Sequence, residues 1–225
     1  MKCKRVVALL LTAFLLFSIT PLKGTNAEYS ETDLAIPAVR AFSANGTGSF
    51  ALNESSRIYI VNADGNLMRD TGYGDYVELL RLIAAEYSDK GVPSGTAMDL
   101  LFGAESNAAS GDLVLKLDAD STLLDGVDAS VRGQAYRIDA SSTGIRVTAI
   151  AMSGLLYGAR AVLQYHLSGG GMAYGVYLSY PTAQERSLFL DCGRKYFSVS
   201  TLQELIRELS WCGMNALELH FSEDM

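Results

Sequence analysis

The segment from Arg186 to Met225 contains two apolar stretches separated by an amphipathic helix pattern. The first stretch, Leu188 to Leu190, ends at the carboxylate of Asp191, and the second runs from Ala216 to Phe221. Between them, apolar side chains recur at helical spacing, namely at Leu202, Leu205, Ile206 and Leu209. A strand, a crossover helix and a second strand fit within the roughly 30 or more residues of a βαβ unit. The segment therefore predicts such a unit, with these four side chains on the inward face of its helix.

The ends of this helix are predicted from the residues that flank it. Ser200 and Gln203 have the spacing of a capping box, in which each side chain bonds a backbone N–H at the helix start. Gly213 supplies the residue type that most often ends a helix. We therefore expect the helix to begin near Ser200 and to end before Gly213.

The first residues of the chain concern its destination. Three basic residues precede an apolar run from Val6 to Phe17, and Ala27 supplies the small residue that signal peptidase requires. A membrane anchor is the alternative, but a span needs about 20 apolar residues and this run is broken by Ser18, Thr20 and Pro21. We predict that residues 1–27 are a cleavable signal peptide, that the protein is secreted, and that it meets a membrane only through this signal.

The charge of the mature chain limits its partners. Residues 1–27 carry four basic side chains and no acidic one, so 14 basic and 25 acidic side chains remain and the net charge is −11. Such a surface repels phosphate backbones, which excludes nucleic acid as an expected partner.

Cysteine and histidine usage argues against a disulfide framework and a metal site. The mature chain keeps Cys192 and Cys212, too few for a framework, in segments that read as buried strand and helix. Two buried free thiols are the favoured interpretation, and a single bridge between them is the alternative. His166 and His220 are the only histidines, and no cluster of cysteine and histidine has the spacing of a metal site. We expect no metal site.

Most of the remaining chain alternates short strands with two helices. Strand patterns with a period of two or with β-branched and aromatic side chains occupy four segments, Arg57–Val61, Leu113–Leu117, Tyr136–Asp139 and Ile145–Ala149. Helical spacing occupies two segments, Tyr76–Tyr87 and Ser153–Leu167. The short turn Ser141–Gly144 suits a hairpin. This pattern predicts an α+β fold, an antiparallel or mixed sheet with two helices on one face.

Two glycine-containing segments are interpreted as connections. Ala41–Gly48 is small and polar and predicts a loop. Gly169–Gly171 follows a helix and precedes a strand, whereas phosphate-binding loops lie between a strand and the start of a helix. We therefore interpret the triple glycine as a turn.

The sequence of residues 133–164 resembles the domain that precedes the barrel in family 20 glycoside hydrolases, the β-N-acetylhexosaminidases. The matching positions are Tyr136, Gly144-Ile145, Ala149, Gly154, Tyr157-Gly158 and Leu163-Gln164. Similar domains precede the barrels of O-GlcNAc hydrolases and α-glucuronidases. This match alone leaves those families open.

The following residues favour family 20. Asp191 and Arg194 resemble the D-x-x-R element of the hexosaminidases, and Lys195-Tyr196-Phe197 is similar too. Cys192–Phe197 together with His220–Glu223 looks closer to the lacto-N-biosidase-like branch than to common chitobiases. The resemblance implies a hexosaminidase-like α+β domain over residues 28–181 and the start of a (β/α)8 barrel over residues 182–225, with the chain ending after the second barrel strand.

The resemblance assigns expected roles to four residues. Arg194 matches the arginine that binds hydroxyls of the terminal sugar, with an ion pair to a barrel-mouth carboxylate as the alternative. Glu223 stands where many members have the Asp of an H-x-x-D pattern near the catalytic acid, one methylene longer. Asp191, Glu223 and Asp224 are expected as supporting carboxylates because the strand ends of a barrel carry the site, and solvated acidic strand ends are the alternative. We expect His220 to be structural.

The activity implied by the resemblance is retaining hydrolysis of terminal β-linked N-acetylhexosamine units, so the expected partners are glycans that contain this sugar. The resemblance implies no organic or metal cofactor. In this family the substrate's own 2-acetamido group acts as nucleophile, beside an Asp-Glu pair on a later strand, around the fourth. That pair would lie beyond residue 225, so the chain as given is expected to be inactive. A non-catalytic module that binds carbohydrate or a partner, with a vestigial barrel segment, is the alternative function.

Overall fold

The computed structural model describes residues 30–61, 74–93 and 98–222 of the chain. The predicted signal peptide and two of the predicted site residues, Glu223 and Asp224, lie outside these residues. Within the described ranges, no helix is both long enough and apolar enough to cross a membrane.

The described residues up to position 179 form a seven-stranded mixed sheet. Its strands are β1 (Ala41–Phe50), β2 (Ile58–Val61), β3 (Leu100–Gly103), β4 (Leu113–Leu117), β5 (Tyr136–Ser141), β6 (Gly144–Ala149) and β7 (Met172–Ser179). Their order across the sheet is β1-β7-β5-β6-β4-β2-β3. The neighbours from β1 to β6 are antiparallel, and those from β6 to β3 are parallel. This confirms the predicted mixed sheet and the hairpin between β5 and β6.

Two long helices cover one face of the sheet, as the helical spacing predicts. The helices of this region are α1 (Gly74–Asp89), the single turn α2 (Ala129–Arg132) and α3 (Met152–Gly169), and two 3₁₀ turns span Glu105–Asn107 and Thr122–Leu124. The hydroxyl of Tyr87 in α1 donates a hydrogen bond of 2.7 Å to the carbonyl of Ala159 in α3. The two helices therefore form one layer.

The core lies between these helices and the sheet. Leu80 and Ile83 of α1 and Leu155 of α3 are fully buried there with strand side chains that alternate toward the helices. Each such side chain contributes about 1.5–3 kcal/mol by burial. All four residues of β2 are buried, because its opposite face is also covered and packs Tyr59 and Val61 against Val114. Burial on both faces is common for parallel strands.

The prediction of a loop over Ala41–Gly48 is wrong, because β1 occupies these residues. β1 pairs antiparallel with β7, and the register shifts between Ala44 and Ser49. Gly46 and Gly48 both have positive φ in this interruption. The strand lies at the edge of the sheet with most of its side chains exposed, so backbone hydrogen bonds form it without an apolar pattern in the sequence.

A strand-helix-strand unit follows the sheet and contains β8 (Ser187–Asp191), α4 (Val199–Trp211) and β9 (Ala216–His220). The two strands are parallel, with Leu188 opposite Leu217 and Asp191 opposite His220. We refer to residues 182–222, which contain these three elements, as the βαβ unit and to the described residues up to position 181, with their sheet and helices, as the α+β domain. The predicted strand, helix and strand are confirmed.

Two details of α4 differ from the prediction. The cap is Ser198 rather than Ser200, since its Oγ accepts a hydrogen bond of 3.2 Å from the backbone N–H of Thr201. Ile206 is not on an inward face, because 51% of it is exposed and no residue of α4 is fully buried. The end is as predicted, with Gly213 at a φ of +75° just after Cys212.

Both described cysteines are free thiols. Cys192 is half-buried at the end of β8, whereas Cys212 is exposed at the end of α4. The favoured interpretation is therefore correct about the absence of a bridge between them and wrong about the burial of Cys212, which lies on the outer side of its helix.

Replacing Gly154 by alanine is expected to destabilise the α+β domain. A Cβ there would lie 2.2 Å from the backbone oxygen of Ala135, and this clash outweighs the better helix propensity of alanine. We expect a loss of about 1–3 kcal/mol in the free energy of unfolding, measured by urea denaturation. Gly126→Ala is the control, because a Cβ there meets nothing within 4 Å. Equal stability of the two variants would contradict the close helix-sheet contact.

The stability of the chain is expected to fall at alkaline pH. Burial raises the pKa of Tyr136 to about 12, against about 10 in an unfolded chain. Above pH 10 the unfolded state loses the proton of the Tyr136 hydroxyl while the folded state keeps it, which lowers the free energy of unfolding. The contribution of Tyr136 to this free energy is complete below pH 10, and about 2 kcal/mol of it is lost by pH 12. Unfolding by urea at pH 8 to 12 should show a shallower decline for Tyr136→Phe. The exposed control Tyr196→Phe should retain the wild-type decline. An identical decline of the free energy of unfolding with pH in both variants would refute the role of Tyr136 in it.

Candidate functional site

The carboxyl ends of β8 and β9 lie side by side because the two strands are parallel and in register. Asp191 is the register partner of His220, and the backbone N–H of Cys192 donates a hydrogen bond of 2.7 Å to the carbonyl of His220. The N–H of Gly193 donates a bond of 2.9 Å to Oδ1 of Asp191. Asp191 therefore shapes the turn through which the chain leaves β8.

Arg194 lies in this turn and is largely solvent-exposed. Its side chain is 80% exposed, and its Nε is 3.6 Å from Oδ2 of Asp191. That separation is an ion-pair distance beyond a direct hydrogen bond, and an exposed pair of this kind contributes little to stability. The contact therefore leaves the guanidinium donors available for an added ligand.

Three aromatic side chains of β8 and of the segments that follow β8 and β9 were not assigned to the site from the sequence. Tyr196 is 85% exposed and Phe221 is 69% exposed. Phe189 lies 5.9 Å from the ring of His220, measured between centroids. Phe189 and Asp191 are two residues apart on one strand and so share a face. Because Leu188, Phe189 and Leu190 are all apolar, the sequence of β8 does not show which face is open, and the exposure of Phe189 identifies it only in the structure.

The structure brings together two of the four predicted site residues. Asp191 and Arg194 are neighbours at the end of β8, and His220 lies beside them with its ring against Phe189. Glu223 and Asp224 belong to the part of the chain that the structure does not describe. No three His, Cys, Asp or Glu side chains of the described ranges are grouped in a way that could hold a metal ion.

Two cavities lie elsewhere in the described structure. One of about 400 Å³ is bounded by the α+β domain and the βαβ unit, with Tyr157, Arg186 and Trp211 in its wall. The other, of about 440 Å³, lies on the outer face of the sheet beside Glu105 and Arg146. Neither is lined by Asp191 or Arg194.

The fold is shared with solved hexosaminidases. The glycoside hydrolase family 20 β-N-acetylhexosaminidase from Streptomyces coelicolor A3(2) matches 85% of this chain and 35% of its own, with a TM-score of 0.60 and 20% identity. A mutant Streptomyces plicatus β-hexosaminidase in complex with the product GlcNAc matches 87% of this chain and 36% of its own, with a TM-score of 0.59 and 20% identity. The β-N-acetylhexosaminidase from Bacteroides fragilis NCTC 9343 matches 84% of this chain and 33% of its own, with a TM-score of 0.56 and 22% identity.

These likenesses concern the fold, because the identities are low. No protein-family model and no curated protein matches the sequence. The chain spans about 35% of the length of the S. coelicolor enzyme. The α+β domain and the βαβ unit together thus have the fold of part of a family 20 β-N-acetylhexosaminidase, the family that the sequence resembles.

Proposed function

We propose that the chain is the amino-terminal part of an exported, retaining β-N-acetylhexosaminidase of glycoside hydrolase family 20. The observation that carries this proposal is the position of Arg194, exposed beside Asp191 where parallel strand β8 ends. The fold shared with solved hexosaminidases supports the family. Residues 1–27 have the pattern of an export signal.

The position of Arg194 fits a substrate-binding role. In β/α barrels the active site lies at the carboxyl ends of the strands, and β8 and β9 present those ends at one edge. We propose that β8 and β9 are the first two strands of such a barrel, which takes about 250 residues when complete. Arg194 and Asp191 then lie on its catalytic face.

The chemistry of the guanidinium suits a sugar. Its N–H donors point in fixed directions in one plane and stay charged, so two can bond adjacent hydroxyl oxygens of one ring. The ion pair with Asp191, at 3.6 Å, orients the guanidinium of Arg194 without using its hydrogen-bond donors. The S. plicatus structure contains GlcNAc, and we propose the same class of ligand, a terminal N-acetylhexosamine, for Arg194.

The reaction proposed for the complete enzyme proceeds in two steps. The 2-acetamido oxygen of the substrate attacks the anomeric carbon, while a glutamic acid gives its proton to the departing glycosidic oxygen. Water then opens the oxazolinium intermediate at the anomeric carbon and returns a proton to the glutamate, which restores the acetamido group with retained configuration. The residues of this chain would bind the sugar hydroxyls through Arg194 and support the acid through Glu223.

The 225-residue chain is expected to show no turnover of a chromogenic N-acetyl-β-glucosaminide. The family resemblance places the Asp-Glu pair on a later strand, so neither the acid nor the group that orients the acetamide is supplied by residues 1–225. The purified chain should release chromophore at the rate of buffer alone. Release above that rate, lost on heating, would show that catalysis resides within these residues.

The substrate role is tested in the polypeptide encoded when the reading frame is followed beyond codon 225. We expect it to encode an Asp-Glu pair after a fourth strand and to hydrolyse the N-acetylglucosaminide. Arg194→Met should lower kcat/KM by about 10- to 100-fold, since hydrogen bonds from a charged donor contribute about 1.5–3 kcal/mol.

Arg207→Met is the matched control, because Arg207 is an exposed arginine on α4 of the same unit. It should keep wild-type kcat/KM, and equal losses in both variants would remove Arg194 from the substrate site. A stop codon after position 225, with stable expression of the short chain, would instead support a non-catalytic binding module.

A further inference from the structure

We propose that the α+β domain holds the βαβ unit through a clamp made by two arginines, Arg186 and Arg160. The clamp grips the amino ends of β8 and β9 and the carboxyl end of α4, opposite the end that carries Asp191 and Arg194. This role goes beyond sugar binding and holds whether or not the proposed enzymatic function is correct.

The first arm of the clamp is the half-buried guanidinium of Arg186, directly before β8. Its Nε donates a hydrogen bond of 2.7 Å to the carbonyl of Gly213, and Nη1 donates one of 2.7 Å to the carbonyl of Ala183. Its Nη2 donates to Oε1 of Gln134 at 2.7 Å and to the hydroxyl of Tyr157 at 3.3 Å. Gln134 and Tyr157 belong to the α+β domain, so one side chain joins both parts of the chain.

The backbone around Arg186 extends this arm to the second strand. Its N–H donates a bond of 2.8 Å to Oδ1 of Asn215, the residue before β9, and its carbonyl accepts one of 3.0 Å from the N–H of Asn215. The amide nitrogens of Asn215 and Gln134 both donate to the carbonyl of Gln184, at 2.9 and 2.8 Å. The starts of both strands are therefore fixed to the α+β domain by one network.

The second arm is Arg160 of α3, which reaches the end of α4. Its Nη1 donates bonds of 2.8 and 2.7 Å to the carbonyl and the Oγ of Ser210. Its Nε and Nη2 bond the carboxylate of Glu86 in α1, at 2.9 and 2.6 Å. A positive charge at the carboxyl end of a helix is favourable, and Glu86 balances the charge of this buried guanidinium.

Apolar packing between the α+β domain and the βαβ unit is incomplete, so the attachment depends on the hydrogen bonds of the two arginines. Trp211 packs against the core of the α+β domain, and Gly213 approaches Pro37 so closely that a Cβ on Gly213 would be 2.9 Å from its ring. Between these contacts lies the cavity of about 400 Å³, with both Arg160 and Arg186 in its wall. The hydrogen bonds therefore fix the orientation that packing leaves undetermined.

The βαβ unit has little stability of its own. It has two strands and one helix, and α4 contains no fully buried residue. Small units with so little burial open readily unless they are attached to a larger core. The clamp supplies that attachment at the amino ends of β8 and β9 and at the carboxyl end of α4.

Hydrogen exchange of the 225-residue chain, followed by mass spectrometry, tests the clamp. Arg186→Met should speed exchange of the β8 and β9 amides by about 10-fold or more, while β5 and β6 keep wild-type protection. Arg186→Lys should not restore protection, because a single ammonium cannot reach the separate acceptors on Gly213, Ala183 and Gln134 together. The exposed Arg207→Met is the matched control and should leave every segment unchanged.

A milder variant keeps the test decisive if the first one alters the whole fold. Gln134→Ala removes one acceptor of the Arg186 arm and should give a smaller increase, confined to the same two strands. Unchanged protection of β8 and β9 in Arg186→Met would overturn the clamp. Equal loss of protection in β5 and β6 in both variants would overturn it too, because the βαβ unit would then open only with the whole domain.

Discussion

The buried ion pair between Arg160 and Glu86 joins the helices of the structure. Glu86 belongs to α1, Arg160 to α3, and the guanidinium also bonds Ser210 at the end of α4. The Arg160 side chain is only 7% exposed, and an unpaired charge at such a depth is strongly unfavourable. An arrangement that keeps Arg160 buried must therefore keep Glu86 beside it. The pair selects one relative placement of α1, α3 and α4, and with it the placement of the βαβ unit.

Close contact between α3 and the sheet allows that arrangement. Gly154 and Gly158 leave room for Ala135 and Val147 at distances that a methyl group would fill. With α3 at this depth, Arg160 lies within reach of both other helices. Gly154 and Gly158 on one hand and Arg160 on the other thus stabilise the same arrangement of α3, although they act through different interactions. Packing sets the depth of α3, and the ion pair sets what docks on it.

The sequence predicted the features of the fold that depend on local periodicity. Alternating apolar residues were sufficient to predict β4, β5 and β6, and helical spacing was sufficient for α1 and α3. The glycine after α4 was sufficient to predict where that helix ends. β1 was missed because its exposed side chains carry no apolar pattern, and its strand state depends on β7, more than 120 residues away. The cap at Ser198 was missed because Ser198 and Ser200 both lie near the start of α4 and only the chain path selects one. At the site, Asp191 and Arg194 were found from a motif, whereas Phe189 required knowledge of which face of β8 is open.

The two ends of the βαβ unit have opposite physical demands. Substrate recognition by Arg194 needs an exposed guanidinium with unused donors, and such a group adds little stability. Holding two short strands in register needs satisfied donors, as at Arg186, where every guanidinium nitrogen has a partner. These demands conflict at one position but not when the residues stand at opposite ends of β8. A five-residue strand transmits the placement of Arg186 to Asp191 because its backbone is paired along its length. The α+β domain can therefore fix the site end through contacts at the opposite end of β8.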